Sequence, residues 1–216
     1  MRLLRKTSVY LPTPPVLLAL LGSLALVGSL VFRNAGVYLS PTEPIRAGTL
    51  LIEGWVDREA FVEAVATYRR GKYTQLVTTG GPYFLDCDRD DVNYATQVAA
   101  LSRAAGLQDG ELIVIRVPSV RTDRTRASAM AAALWLRAQP SLPSSIDVYS
   151  EGPHARRSWL IHRRILEPMG LAVGIIAAPP GWSTANWWRE SEGVKAVVSE
   201  AAGWAWEVCC GRPAAE

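Results

Sequence analysis

The chain is poor in the residues that build metal centres and covalent staples. Its 216 residues include three cysteines and two histidines. No C-x-x-C pair and no His/Cys cluster has metal-site spacing, so no bound metal is expected. Cys209 and Cys210 are adjacent and sterically poor partners for each other; an odd count permits one bridge, from Cys87 to one of that pair, without demanding it. Neither G-x-G-x-x-G nor G-x-x-x-x-G-K-[ST] occurs, so a standard dinucleotide or P-loop site is not supported. A concentrated basic surface is lacking as well. The formal net charge is +3, but residues 1–40 carry Arg2, Arg5, Lys6, Arg33 and no acid, which leaves −1 for the remainder. Nothing there suggests a nucleic-acid surface.

Charge is absent altogether from residues 7–32, and "VLLALLGSLALVGSLVF" (16–32) is apolar except for small residues. Seventeen residues of helix span roughly 25 Å, and residues 11–15 bring the stretch close to the hydrocarbon thickness of a bilayer. Pro14 and Pro15 suit a first helical turn, where a missing N–H costs least. A cleaved signal peptide is the alternative, but no A-x-A-like site follows closely and the run is long for an h-region. The three basic residues before the run, against Arg33 after it, place the N-terminus in the cytoplasm. The expected organisation is therefore a basic cytoplasmic arm (1–10), a transmembrane signal-anchor helix (11–33) and a linker (34–48). A domain outside the cytoplasmic membrane (49–210) and a short tail (211–216) follow.

From residue 49 apolar runs alternate with helical patterns. "TLLIEGW", "QLVTTGG", "ELIVIRV", "SIDVYSE" and "LAVGIIAAP" are short and apolar. Helical periodicity covers 58–70, 92–105, 124–138, 154–166 and 186–208. Five such strands separated by helices predict an α/β fold: a Rossmann-like three-layer domain with a mainly parallel five-stranded sheet, preceded by one transmembrane helix. Right-handed crossovers put every strand-to-helix turn along one edge of that sheet, where open sheets bind ligands. "EGWVD", "TTGGPY", "PSVRTDRT" and "EGPHARR" thus share one rim despite their distance in sequence.

Each rim residue has a plain reading beside a functional one. Gly80 and Gly81 are a tight turn, or a backbone that a ligand can approach closely. Asp123 or Thr122 can cap the third helix. Arg124 and Arg126 oppose the dipole of that helix, which points to an anionic ligand or acidic partner, and Thr125 adds a hydroxyl. His154 starts the fourth helix, whose free N–H groups favour anions, with Arg156 and Arg157 within a turn. Projection at about 100° per residue gathers Arg156, Arg157, Arg163 and Arg164 on one face opposite Ile161 and Ile165. On that projection Arg163 and Arg164 are solvated and His162 is a flank residue. Glu53 and Asp57 are secondary candidates at the same rim. Five of the eight tryptophans lie between residues 181 and 208; they close the core, with Trp187 and Trp188 as candidate rim residues.

"LIEGWVD", "VTTGGPY", "DRTRASA" and "HARRSWLIHRRIL", in that order across residues 50–180, resemble the YdcF-like family, which includes the ElyC and SanA envelope proteins. The resemblance implies a Rossmann-like domain behind a membrane anchor and a role in envelope and peptidoglycan-related processes. Its reaction is not established; S-adenosylmethionine binding has been associated with a member. The best-matched positions are Gly80, Gly81, Thr125, His154 and Arg157. Many members carry a Glu-x-x-Ser-x-x-Thr-type turn after the third strand, whereas "VPSVRTDRT" has no glutamate, so a role assigned to that glutamate does not transfer.

Two functions follow as expectations. One is capture of a phosphate-bearing or nucleotide-like small molecule by Gly80, Gly81, Arg124, Thr125, His154, Arg156 and Arg157. The other is a non-catalytic envelope factor that docks a partner protein through the same rim. The residues name no cofactor, no protein partner and no turnover. The topology is directly testable: a reporter fused after Glu216 should be active outside the cytoplasm and stay in the membrane fraction. Cytoplasmic activity would reverse the orientation, and full release would favour cleavage.

Overall fold

The computed structural model describes residues 12–82, 93–102 and 104–211. The chain divides after Ala35 into two compact units. The first is most of helix α1, Pro14–Leu39, which is 26 residues long and so about 39 Å. It is long and apolar enough to cross a membrane, and its residues are exposed through Asn34. Residues 34–39 were expected in a linker, but they continue the helix. "NAGVYL" contains no proline to end it, and the first proline after the helix is Pro41.

The second unit is a five-stranded, all-parallel sheet in the order β3-β2-β1-β4-β5. The strands are β1 (Ala47–Glu53), β2 (Lys72–Gly80), β3 (Leu112–Arg116), β4 (Ser145–Glu151) and β5 (Ala172–Ala178). Helices α2 (Arg58–Arg70), α3 (Tyr94–Ala100), α4 (Arg124–Arg137) and α5 (His154–Leu166) make the crossovers, and α6 (Ser191–Cys210) follows β5. The sequence patterns match this order closely. The exceptions in extent are α3, expected over 92–105 and observed over a shorter span, and α6, expected from 186 but preceded over Thr184–Arg189 by a 3₁₀ segment that is kinked at Asn186. Strand alternation assigns the two faces. Leu51, Val77, Ile146, Val148 and Ile175 pack with Ala129, Ala133, Ile161 and Ile165 of α4 and α5. Leu50, Ile52, Leu76 and Tyr149 pack with Phe61, Ala64 and Val98 of α2 and α3.

Two features lock this arrangement. A short 3₁₀ segment, Thr184–Arg189, places Trp187 in the core at 3% exposure. Glycines at 36 and 193 admit it, because a Cβ at either would collide with Trp187. At the amino ends of the strands the fully buried Asp147 accepts hydrogen bonds from the Ile45 N–H (2.9 Å), the Arg46 N–H (2.7 Å) and the Tyr73 hydroxyl (2.6 Å). Asp147→Ala strands three donors and should cost about 2–4 kcal/mol. Urea unfolding of the detergent-solubilised chain checks this; an unchanged midpoint would show that the clamp contributes nothing.

Candidate functional site

The strand order reverses between β1 and β4, since β2 and β3 lie to one side of β1 and β4 and β5 to the other. At that point the carboxyl ends of β1 and β4 part, and a cleft of about 1140 Å³ opens above them. Its lining comes from every rim segment the sequence singled out, including Glu53, Gly81, Arg124, Thr125, His154 and Arg157.

Glu53 is the last residue of β1 and, by alternation with Leu51, points to the α5 side. It is 3% exposed. Ser150 donates to its Oε2 (2.5 Å) and Ser158 to its Oε1 (2.7 Å). His154 and Ser158 stand one turn apart on α5, so both face Glu53. His154 Nε2 lies 3.7 Å from Glu53 Oε2 and 3.4 Å from Thr125 Oγ1. On the other side of the ring, Nδ1 lies 3.0 Å from Oε1 of Glu200, a residue of α6. Arg157 donates to the same carboxylate from Nε (2.8 Å) and Nη2 (3.1 Å). The Trp55 ring packs against the imidazole in a T-shaped contact, 4.9 Å between centroids.

This cluster sets its own protonation. Burial alone would favour a neutral His154, but Glu53 and Glu200 outweigh it and push the imidazole up to about 9. Burial likewise opposes charge on Glu53 and Glu200; the His154 imidazolium holds Glu53 well below the ordinary carboxylate range, and His154 and Arg157 do the same for Glu200. One turn further along α5, burial pushes His162 down, and its Nδ1 donates to the Ser158 carbonyl at 2.9 Å. Burial, then the Asp57 carboxylate, pushes Glu151 up.

Several sequence expectations need correction. Arg156 does not line the cleft: its guanidinium lies 3.9 Å over the Tyr38 ring and its Nε donates to the Tyr38 carbonyl. Asp57 caps α2 by accepting from the Ala60 N–H at 2.7 Å. Asp123 occupies the cap position of α4 without a side-chain bond, because its left-handed φ of 57° turns the carboxylate off the axis that a cap requires. Gly80 sits behind the cleft, where a Cβ would come within 2.6 Å of the Ala95 nitrogen; at Gly81 the nearest atom would be 3.6 Å away. His162 is fully buried rather than a flank residue. Arg126 and Arg164 both pair with Glu207 of α6 at 2.8 Å, so Arg164 is not solvated. Trp182, rather than Trp187 or Trp188, lines the cleft. Cys209 and Cys210 are free thiols, and Cys87 lies outside the described residues.

Glu200, Ser158 and Ser150 are site residues that the sequence reading missed. His154, Ser158 and His162 recur every four residues on a helix otherwise rich in arginine, a signal for a polar stripe turned inward. Glu200 and Glu207 recur at seven on an apolar helix, a matching signal for two arginine acceptors. Among the described residues no group of three His, Cys, Asp or Glu side chains is arranged to hold a metal ion.

No family model and no curated protein matches the chain. Two crystal structures of pantothenate synthetase from Thermus thermophilus align with it at 17% identity. One alignment covers 77% of this chain and 70% of that chain with a TM-score of 0.34; the other covers 76% and 68% with a TM-score of 0.35. Likeness at that score carries no argument about the site.

The protonated cluster predicts a specific pH dependence. His154 gains proton affinity on folding, so its contribution to stability is complete below the unfolded value near 6.5. That contribution is lost as pH rises through about 9. The urea midpoint of the full chain in detergent should fall across that window. His154→Gln should be less stable at neutral pH yet flat across it; a wild-type slope in that variant would assign the dependence elsewhere.

Proposed function

We propose that this is a membrane-anchored protein of the YdcF-like kind, with its α/β domain on the extracytoplasmic side of the cytoplasmic membrane. On this reading it binds a phosphate-bearing or nucleotide-like small molecule at the carboxyl edge of the sheet. The observation that carries the proposal is where cations are left over. His154 and Arg157 are matched by Glu53 and Glu200, and Lys195 by Glu192 at 2.8 Å. Arg121 and Arg124 also line the cleft, and neither has an ion-pair partner among the described residues. The acids left opposite them are Asp123, at the exposed mouth, and Glu151, which burial disposes to keep its proton. Arg124 stands in the first turn of α4, where free N–H groups add to its charge.

The interior fits such a ligand. Thr79 is 1% exposed, lines the cleft, and its hydroxyl has no partner among the described residues. Gly81 offers bare backbone. Trp55, Tyr94 and Trp182 supply flat aromatic surface on which a planar base can stack. The volume exceeds that of most small-molecule sites. A recessed cleft with arginines in its wall supports this reading over a flat rim that docks a protein.

Calorimetry of pyrophosphate against the full chain in detergent is the test. A charge-assisted hydrogen bond contributes about 1.5–3 kcal/mol, so Arg124→Ala should weaken binding about tenfold or more. Arg163→Ala, whose guanidinium pairs with Glu167 in solvent, is the control and should change little. Gly81→Val should block binding while the protein still melts cooperatively, whereas Gly80→Ala should lower the melting temperature. Equal affinities for the Arg124 and Arg163 variants would refute the site.

A further inference from the structure

The carboxylates beside His154 are out of place in a site that only binds anions. Glu53 and Glu200 cancel the charge of the imidazolium and the guanidinium that a phosphate would otherwise meet. They nonetheless do two things for the ring. Glu200, at 3.0 Å from Nδ1, fixes its orientation and takes that proton as acceptor. Arg157 Nη2 also lies 3.0 Å from Nδ1, but both are donors when the ring is charged, and both turn to Glu200 Oε1. Glu53 is held rigid by two serine hydroxyls and faces Nε2 from 3.7 Å. Nε2 faces Thr125 at 3.4 Å and Glu53 at 3.7 Å, two residues that line the cleft, and neither is close enough for a strong bond. The side chain is 13% exposed, so a ligand can reach it.

We infer that His154 is a catalytic residue, the general acid that protonates the leaving oxygen when a phosphomonoester bound in this cleft is hydrolysed. The inference rests on the phosphate-binding reading above and adds a reaction to it. Water attacks phosphorus, forming a new P–O bond, while the P–O bond to the leaving group breaks. The electron pair of that bond takes the Nε2 proton, so the alcohol departs neutral. The water sheds one proton, which restores the imidazolium, and the other product is hydrogen phosphate. A loose phosphoryl transition state needs little help from a base, but a poor leaving oxygen needs the proton. Arg121 and Arg124 would bear on the phosphoryl oxygens. Glu200 is a positioning residue, since it acts only through His154.

The groups that face His154 are Glu53 from β1, Glu151 at the end of β4, Arg157 and His162 on its own helix, and Glu200 from α6. Near neutrality Glu53, Glu200 and Arg157 stay charged, burial keeps His162 neutral, and burial biases Glu151 towards its protonated form. The proton on Nε2 is therefore the one that leaves as pH rises through about 9.

The test uses the full chain in detergent with two substrates, p-nitrophenyl phosphate and phenyl phosphate, and measures pyrophosphate affinity separately. His154→Gln should lower kcat/KM on phenyl phosphate by about 10²–10⁴-fold and on p-nitrophenyl phosphate far less, because nitrophenolate departs without a proton. Pyrophosphate affinity should fall far less than kcat/KM on phenyl phosphate does, because the lost imidazolium weakens anion binding but Arg121 and Arg124 remain. Wild-type activity on phenyl phosphate should fall as pH passes about 9, and Glu200→Gln should move that fall to lower pH. Equal losses on both substrates would show that His154 places the ligand instead of donating a proton. No wild-type hydrolysis above the buffer rate would overturn the reaction, and retained pyrophosphate binding would then leave the binding site standing. Loss of pyrophosphate binding in the wild type would remove both.

Discussion

The contact on which the site turns is the ion pair between Glu53 and His154 beneath the first turn of α5. A carboxylate at 3% exposure is expensive to keep ionised unless hydrogen bonds and an opposite charge surround it. Glu53 obtains both from elements that only the parallel topology brings together: Ser150 from the neighbouring strand β4, and Ser158 and His154 from the helix that follows it. The pair thus sits where the strand order reverses. Removing His154 leaves Glu53 with two hydroxyls and no ion-pair partner, so the pair ties the docking of α5 on the sheet to the protonation of the cleft wall.

Helix α6 completes the balance. Glu200 and Glu207 lie seven residues apart, hence on one face, and each serves two cations. Glu200 takes His154 and Arg157, and Glu207 takes Arg126 from α4 and Arg164 from α5. Between them Gly203 makes room: a Cβ there would lie 3.0 Å from Arg157 Nε. The terminal helix is therefore more than a cover over the core. Its carboxylates satisfy arginines that the helical wheel of α5 alone assigns to solvent.

Fold and rim were legible because both follow from local pattern plus chirality. Apolar runs such as "SIDVYS" mark strands buried on both faces, and right-handed crossovers put their turns at one edge. The partners inside the rim were not legible, because they depend on a helix packed from far along the chain. Nothing local to His154 announces Glu200, and the arginines of α5 look alike until α6 is docked. Arg156 then turns to Tyr38, Arg157 and Arg164 to α6, and Arg163 to Glu167. Asp123 failed for a different reason. Its residue type suits a cap, but the left-handed backbone that enters α4 withdraws the side chain, and composition does not report φ.

Two buried acids, one at each end of the sheet, show how the same electrostatic problem leads to structure in one place and chemistry in the other. Asp147 is fully buried and satisfied by two backbone N–H groups and the Tyr73 hydroxyl. Burial and the Asp147 carboxylate push that phenol up, so no donor around Asp147 gives up its proton near neutral pH. Glu53 is satisfied by two hydroxyls and by the Nε2 side of a ring that lines the cleft. The third partner of Glu53 is a labile proton donor, and its release is governed by charges that a bound anion would change. An anion near Nε2 would hold the proton still more tightly until a leaving oxygen of higher basicity appears to take it. Asp147 can only hold its strands together; Glu53 has a partner through which the sheet can act on whatever the cleft contains.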